Sequence, residues 1–338
     1  MHKTAESAVI FGTSTEQAVL RVGSLDQVAR VDRFVEDDGP ARGARRFRVL
    51  NGGGLEFDIH PDRALDIGAA SINGIPLAWL SSTGIGRPDA YEPEGRGWLR
   101  TFGGGLVTTC GLDNFGPPAD DEDGVAGMHG RIGTVSSRVT EVTVTPELIT
   151  VAGEIRQTGV FQENLVLHRR ITSVVGSSAF TISDTVTNEG ENASPHMVLY
   201  HVNLGWPLLD EGTVIDIPAV SVTPRDPDAV AGFDERAEIG APRVGTREQV
   251  YIHVAGDDRV ARVTNAQRGL TFTLRYSESL PAIFQWKLTA TKHYVLGLEP
   301  ANVGEIQGRA AARAAGTLPT LAPGESRSYE IEIEVKAA

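Results

Sequence analysis

An alternation of period two, recurring along most of the chain, limits its fold more than any other feature. In YEIEIEV near the C-terminus, Tyr329, Ile331, Ile333 and Val335 point one way and Glu330, Glu332 and Glu334 the other. That spacing puts alternate side chains on one buried face of a strand. It returns in Leu270, Phe272, Leu274 and Tyr276, and in Leu55, Phe57 and Ile59, which alternate with Glu56, Asp58 and His60. Further strand-like runs cover 139–144, 148–155, 165–171 and 180–186. Asn51-Gly52, Asn73-Gly74, Glu189-Gly190 and Pro323-Gly324 lie between such runs, where turns need residues tolerant of positive φ. Many short strands with regular turn signals predict an all-β sandwich or barrel, not βαβ units. One segment reads as a helix: Ser24 and Gln27 form a capping-box pattern, and Leu25, Val28, Val31 and Phe34 follow at three-residue steps.

The alternation continues on both sides of the Pro/Gly/Asp-rich stretches 117–124 and 224–242. These are read as long loops within one domain covering 1–338, a size that large β domains reach. The 31 Lys+Arg stand against 44 Asp+Glu, a net charge of −13, with no basic run. Nucleic acid and anionic membrane surfaces are therefore not expected as partners. No stretch approaches the ~18–20 apolar residues of a membrane span, and MHKTAESAVIFGT has no long apolar segment with a cleavage site. A cytoplasmic location is expected.

Common catalytic motifs are missing: there is no phosphate loop, no H-E-x-x-H, no G-x-S-x-G and no strand-to-helix G-x-G-x-x-G. The triplets Gly52 to Gly54 and Gly103 to Gly105 lead into no helical pattern, so close backbone packing is expected there and not an anion cradle. Asp120 to Asp123 lacks the spacing of a calcium loop and is read as solvated. Cys110 is the one cysteine; in the apolar setting GGGLVTTCGL it is read as a buried small side chain. His2 is terminal, His168 and His253 lie in alternating strands, and His293 in TKHY has no partner signal.

Three segments place a titratable side chain at a strand end amid Gly and Pro. They are GMHGRIG with His129 and Arg131, LYHVNLGWP with His201 and Asn203, and VLGLEPANVGE with Glu299. PDRALDIG adds Arg63 and Asp66, and FQWK adds Gln285 and Lys287. Carboxylate, imidazoles, guanidinium, ammonium, amides and Trp together make the inventory of a carbohydrate site.

In order along nearly the whole chain, these segments resemble the galactose mutarotase-like superfamily, the aldose 1-epimerases and their relatives, as a divergent bacterial branch. Arg63 is followed by His129 in H-G-R, by the segment Asn188 to Leu204 with H-x-N-L, by Glu299 in L-E-P, and by L-x-P-G-E from Leu321 to Glu325. The resemblance implies a large twisted antiparallel β-sandwich with few short helices and sugar bound on its concave face. It implies His201 as general acid, Glu299 as general base, and His129 and Arg63 as sugar-binding residues. HVNLGW departs from the family's H-P-Y-F-N-L. Arg131, Asn203, Gln285, Lys287 and Asn114 complete the candidate set.

The activity so implied is exchange of sugar anomers by acid/base ring opening and closure. It needs no cofactor and implies no metal. The glutamate is expected to be raised by partial burial and the imidazole kept protonated beside an acidic group. The alternatives are a lyase or isomerase acting on an oxidised sugar or glycoside at the same site, and a non-catalytic carbohydrate-binding protein. The expected partner is a small-molecule sugar; nothing in the sequence sets an oligomeric state.

Overall fold

The structure, a computed structural model, describes residues 9–337; His2 and most of the N-terminal stretch considered above lie outside them. The alternating runs are strands. The chain passes through β1 (Arg30–Val35), β2 (Arg45–Leu50), β3 (Leu55–His60), β4 (Asp66–Ile72) and β5 (Val107–Leu112). A meander follows in β6 (Arg138–Val144), β7 (Leu148–Thr158), β8 (Asn164–Val174) and β9 (Ala179–Asn188). Next come β10 (Met197–Gly205), β11 (Val214–Asp216), β12 (Ala219–Pro224), β13 (Gln249–Ala255) and β14 (Val260–Asn265). The last are β15 (Leu270–Tyr276), β16 (Ala282–Ala290), β17 (His293–Ala301) and β18 (Ser326–Ala337).

They build two large sheets. One has eight strands in the order β6-β7-β8-β9-β18-β15-β14-β11; the other has eleven, its main path running β12-β13-β16-β17-β10-β5-β4-β3-β2-β1. The apolar faces of the two sheets pack on each other, with Phe57 of β3 stacked on Phe180 of β9 at 4.7 Å between ring centroids. Tyr329, Ile331, Ile333 and Val335 of β18 are all buried there. Burying each such side chain stabilises the fold by about 1.5–3 kcal/mol. One ionic cluster crosses the interface behind β10. Buried Arg169 of β8 reaches Asp184 of β9 at 2.7 Å and Asp66 of β4 at 3.0 Å, and Tyr200 donates its hydroxyl to Asp184 at 2.7 Å.

The helix expected over Leu25 to Phe34 does not form. A single 3-10 turn, Leu25–Gln27, is capped by Ser24, and from Arg30 the chain is strand, with Val31 paired to Val49 and Phe34 to Arg46. Val31 and Val35 are β-branched, and the open edge of β2 supplies hydrogen bonds that a short isolated helix lacks. The run Asp120 to Asp123 is solvated, with Asp120, Glu122 and Asp123 exposed, but it turns a hairpin and is not a free loop. Ala119–Asp121 pairs with Gly124–Ala126 in a hairpin, and the Asp121 carboxylate accepts two bonds from the buried Arg309 guanidinium, at 2.8 and 3.0 Å. In both Gly triplets the backbones do pack closely: a Cβ on Gly53 would fall 2.0 Å from the Ser177 carbonyl oxygen, and one on Gly103 2.5 Å from that of Gly84. Cys110 is buried on β5, where burial pushes its thiol well above its ordinary value. Among the described residues no helix is long and apolar enough to cross a membrane.

Candidate active site

On β10, Val198, Tyr200, Val202 and Leu204 face the core between the sheets, while Met197, Leu199 and His201 face the other side. The register pairs Leu199 with Ala301 and Val202 with Leu298, which sets His201 of β10 directly across from Glu299 of β17. Side chains of directly opposed residues meet. Here Nε2 of His201 lies 3.2 Å from Oε1 of Glu299, and both residues are buried. Gly297 stands two residues before Glu299 on the same face and leaves space for the carboxyl group.

The pair forms the floor of a cleft of about 540 Å3 on the outer face of the eleven-stranded sheet. Aromatic rings enclose it. Phe102 and Trp286 lie 5.1 and 5.4 Å from the His201 ring, Trp98 stacks on Phe102 at 4.3 Å, and Trp79 lies 5.9 Å from Trp286. The third polar group of the floor is His129, 5.9 Å from His201 and against Trp98 at 4.5 Å. It sits at φ 55° in a turn, its amide bonded to the Gly116 carbonyl, a conformation that non-glycine residues rarely adopt and that recurs at functional sites. Glu248 lines the cleft too, where its carboxylate accepts from Trp286 Nε1 at 3.1 Å and from Arg225 at 3.0 Å. Arg96, His293 and Gln307 also line the cleft.

Burial decides the protonation of the floor. It lowers His129 to about 4 and, with His129 adding to the effect, His201 to about 3; the Asn203 amide opposes it at His201. Burial raises Glu299 to about 8, reinforced by Glu248 and opposed by Arg225. At neutral pH the carboxyl therefore carries the proton and the imidazoles are neutral, which corrects the expectation of a protonated His201. One mobile proton serves the pair. Whether it sits on Glu299 or crosses to Nε2, the net charge of the pair is zero.

Of the residues singled out in the sequence, the fold brings His129, His201 and Glu299 into this cleft. The others lie elsewhere. Arg63 is buried in the turn after β3 and donates to the carbonyls of Gly86 and Thr101, bracing the segment that carries Phe102. Arg131 points to the far side of the His129 turn, into a separate cleft of about 450 Å3, and pairs with Glu163 at 2.6 Å. Asn114 bonds the Pro117 and Gly127 carbonyls and the Arg309 amide, which holds that turn in place. Gln285 and Lys287 fall on the opposite face of β16 from Phe284 and Trp286 and hold the Arg236, Glu235 and Glu238 carbonyls. Asn203 is fully buried beside His201. Glu299 pairs with neither Arg63 nor Arg131. Sequence reasoning counted Trp among the site's residue types and quoted Trp286 in FQWK, but it passed over Arg225, Glu248, Trp79, Trp98 and Phe102 and set His293 aside; no local motif marks these, because they reach the cleft from separate segments of the chain.

A family model matches residues 41–335. The chain belongs to DUF4432, a domain of unknown function. Solved structures similar to this DUF4432 chain share its architecture. A candidate aldose 1-epimerase from Klebsiella pneumoniae is 22% identical, with a TM-score of 0.84 over 92% of this chain and 86% of that one. A galactose mutarotase-like protein from Clostridium acetobutylicum is 12% identical, with a TM-score of 0.67 over 92% and 100%. A candidate aldose 1-epimerase from Escherichia coli K12 is 16% identical, with a TM-score of 0.59 over 85% and 97%. No curated protein matches the DUF4432 chain in sequence. Its fold is that of the galactose mutarotase-like β-sandwiches.

Proposed function

We propose that the chain is an isomerase that exchanges the anomers of a free sugar in the aromatic cleft. The observation that carries this reading is the buried His201–Glu299 pair, 3.2 Å apart, at the base of a sugar-sized aromatic cavity. Ring opening needs one group to remove the O1 proton while another protonates the ring oxygen. The mobile proton of the pair first crosses from Glu299 to Nε2 of His201. The Glu299 carboxylate then takes the proton from O1, and Nε2–H gives its proton to the ring oxygen as the C1–O bond breaks and a C1 carbonyl forms. Rotation about C1–C2 and the reverse steps give the other anomer, and every proton is returned. His129, Glu248 and Arg225 supply hydrogen bonds to hydroxyls, and the Trp faces pack on the C–H faces of the ring. The candidate aldose epimerases among the structural neighbours support the same reading.

Saturation-transfer NMR on an aldose panel tests it. The parent protein should accelerate exchange, and Glu299→Gln and His201→Asn should each lose about 10²-fold or more, the usual contribution of one proton-transfer group. Exchange by either variant at the parental rate refutes the assignment. The neutral imidazole also favours a second reading, in which His201 removes a proton beside the carbonyl of an oxidised sugar or glycoside. That activity would give a product of altered constitution, which mass spectrometry and NMR detect.

A further inference from the structure

Asn203 was expected to touch substrate, but its surroundings give it another task. Its side chain is completely buried, and Nδ2 donates both hydrogens, to the Gly105 carbonyl at 2.9 Å and to the His201 carbonyl at 2.9 Å. Those two bonds fix which way the amide faces and leave only Oδ1 to find a partner. Oδ1 of Asn203 and Nδ1 of His201 are both buried with no partner formed. An acceptor and a ring nitrogen able to donate thus stand two residues apart on one face of β10. Burying a polar atom unpaired is costly, and one proton on Nδ1 answers both atoms at once. With the alternative tautomer both orphaned atoms are acceptors, and neither can supply the other with a proton. The Asn203 amide accordingly favours protonation of the ring.

We infer that Asn203 is a positioning residue, whose amide oxygen holds the His201 proton on Nδ1 and so reserves Nε2 for the proton exchanged with Glu299 and the sugar. Its kinetic consequences rest on the epimerase reading. When the proton crosses from Glu299 to Nε2, Nδ1–H stays on Asn203, and the imidazolium forms with an acceptor already in place. No atom other than that proton moves far. The titratable groups facing His201 are Glu299 on β17 and His129 in its turn, while Glu248 and Arg225 act on Glu299 from across the cleft.

The experiment is 15N NMR of the imidazoles at neutral pH, with the His201 signals identified by their loss in His201→Asn. The expected result is a neutral ring protonated on Nδ1; a ring protonated on Nε2 overturns the inference, whatever the enzyme's substrate. In the kinetic arm, Asn203→Ala should lower kcat for anomer exchange by about 10²-fold, the scale of one misplaced proton-transfer group, with KM nearly unchanged. Asn203→Asp keeps the shape and adds a negative charge, which stabilises the imidazolium, so the pH limb governed by His201 should move upward with Asp and downward with Ala. Shifts in the same direction, or none, overturn the role. If the parent exchanges no sugar yet shows the Nδ1–H tautomer, the epimerase reading fails while the tautomer assignment stands.

Discussion

At Gly297 an added Cβ would lie 2.6 Å from Oε1 of Glu299 and 3.1 Å from Cβ of Trp286. The carboxyl group is the more mobile of the two neighbours, so Gly297→Ala should turn it away from His201 without unfolding the sheet. We expect anomer exchange to fall by more than about 10-fold, because a misplacement near 1 Å can cost about 10²-fold, while Tm changes by only a few degrees. Parental exchange in this variant would show that the carboxyl need not stay where it is. At this scale the sequence was informative about chemistry and much less so about direction. His201 and Glu299 stood out because Gly and Pro lie close to them in sequence, although both sit inside their strands and not at the ends expected. Gln285 and Lys287 stood out equally, yet strand parity sends them to the face opposite Trp286. Arg131 follows His129 by two residues, but the left-handed turn at His129 and Gly130 points the guanidinium into the other cleft. Two consecutive residues in positive φ undo the simple rule of alternation, and nothing in the string GMHGRIG says that His129 will be one of them.

Among the elements, β8 and β4 meet through Arg169. Its guanidinium is enclosed, and Asp184 and Asp66 lie on separate sheets. Replacing it with Leu leaves two buried carboxylates without a cation. Removing one partner of such a cluster usually costs about 3–5 kcal/mol, and urea denaturation of Arg169→Leu should show a loss of that order; a loss below about 1 kcal/mol would mean that the carboxylates take up protons at little cost. The strands themselves were legible, since an alternating face next to a turn signal has few other uses. Apolar residues at 25, 28, 31 and 34 fit a helix by spacing alone, but Val31 to Val35 also fit a strand, and the free edge of β2 settled the choice. Spacing carries no information about which partner edge is available.

For the whole molecule, the buried imidazoles set the response to acid. His60, His129, His196 and His253 are lowered to about 4 and His201 to about 3, each chiefly by burial. Unfolding returns them to ordinary values near 6.5, so the stability they give is complete above that pH and is lost as pH falls toward about 4, at up to about 1.4 kcal/mol per pH unit for each ring. Glu299, raised to about 8, acts the other way between about 4.3 and 8, and burial raises Asp66 and Asp113 in the same sense, but the five rings outnumber them. Calorimetry should therefore find a lower Tm at pH 5 than at pH 7; an equal or higher value would mean that these rings take up protons without unfolding.

His201 and Glu299 are separated by about 100 residues and become neighbours only where β10 lies beside β17. The other edge of β10 is held by β5, from a similar distance earlier in the chain. No local segment can hold even half of the floor. Contacts of such long range form slowly, because each must close a large loop before it is rewarded. The reactive pair is thus a late product of folding, and during synthesis it cannot exist until the ribosome has released β17.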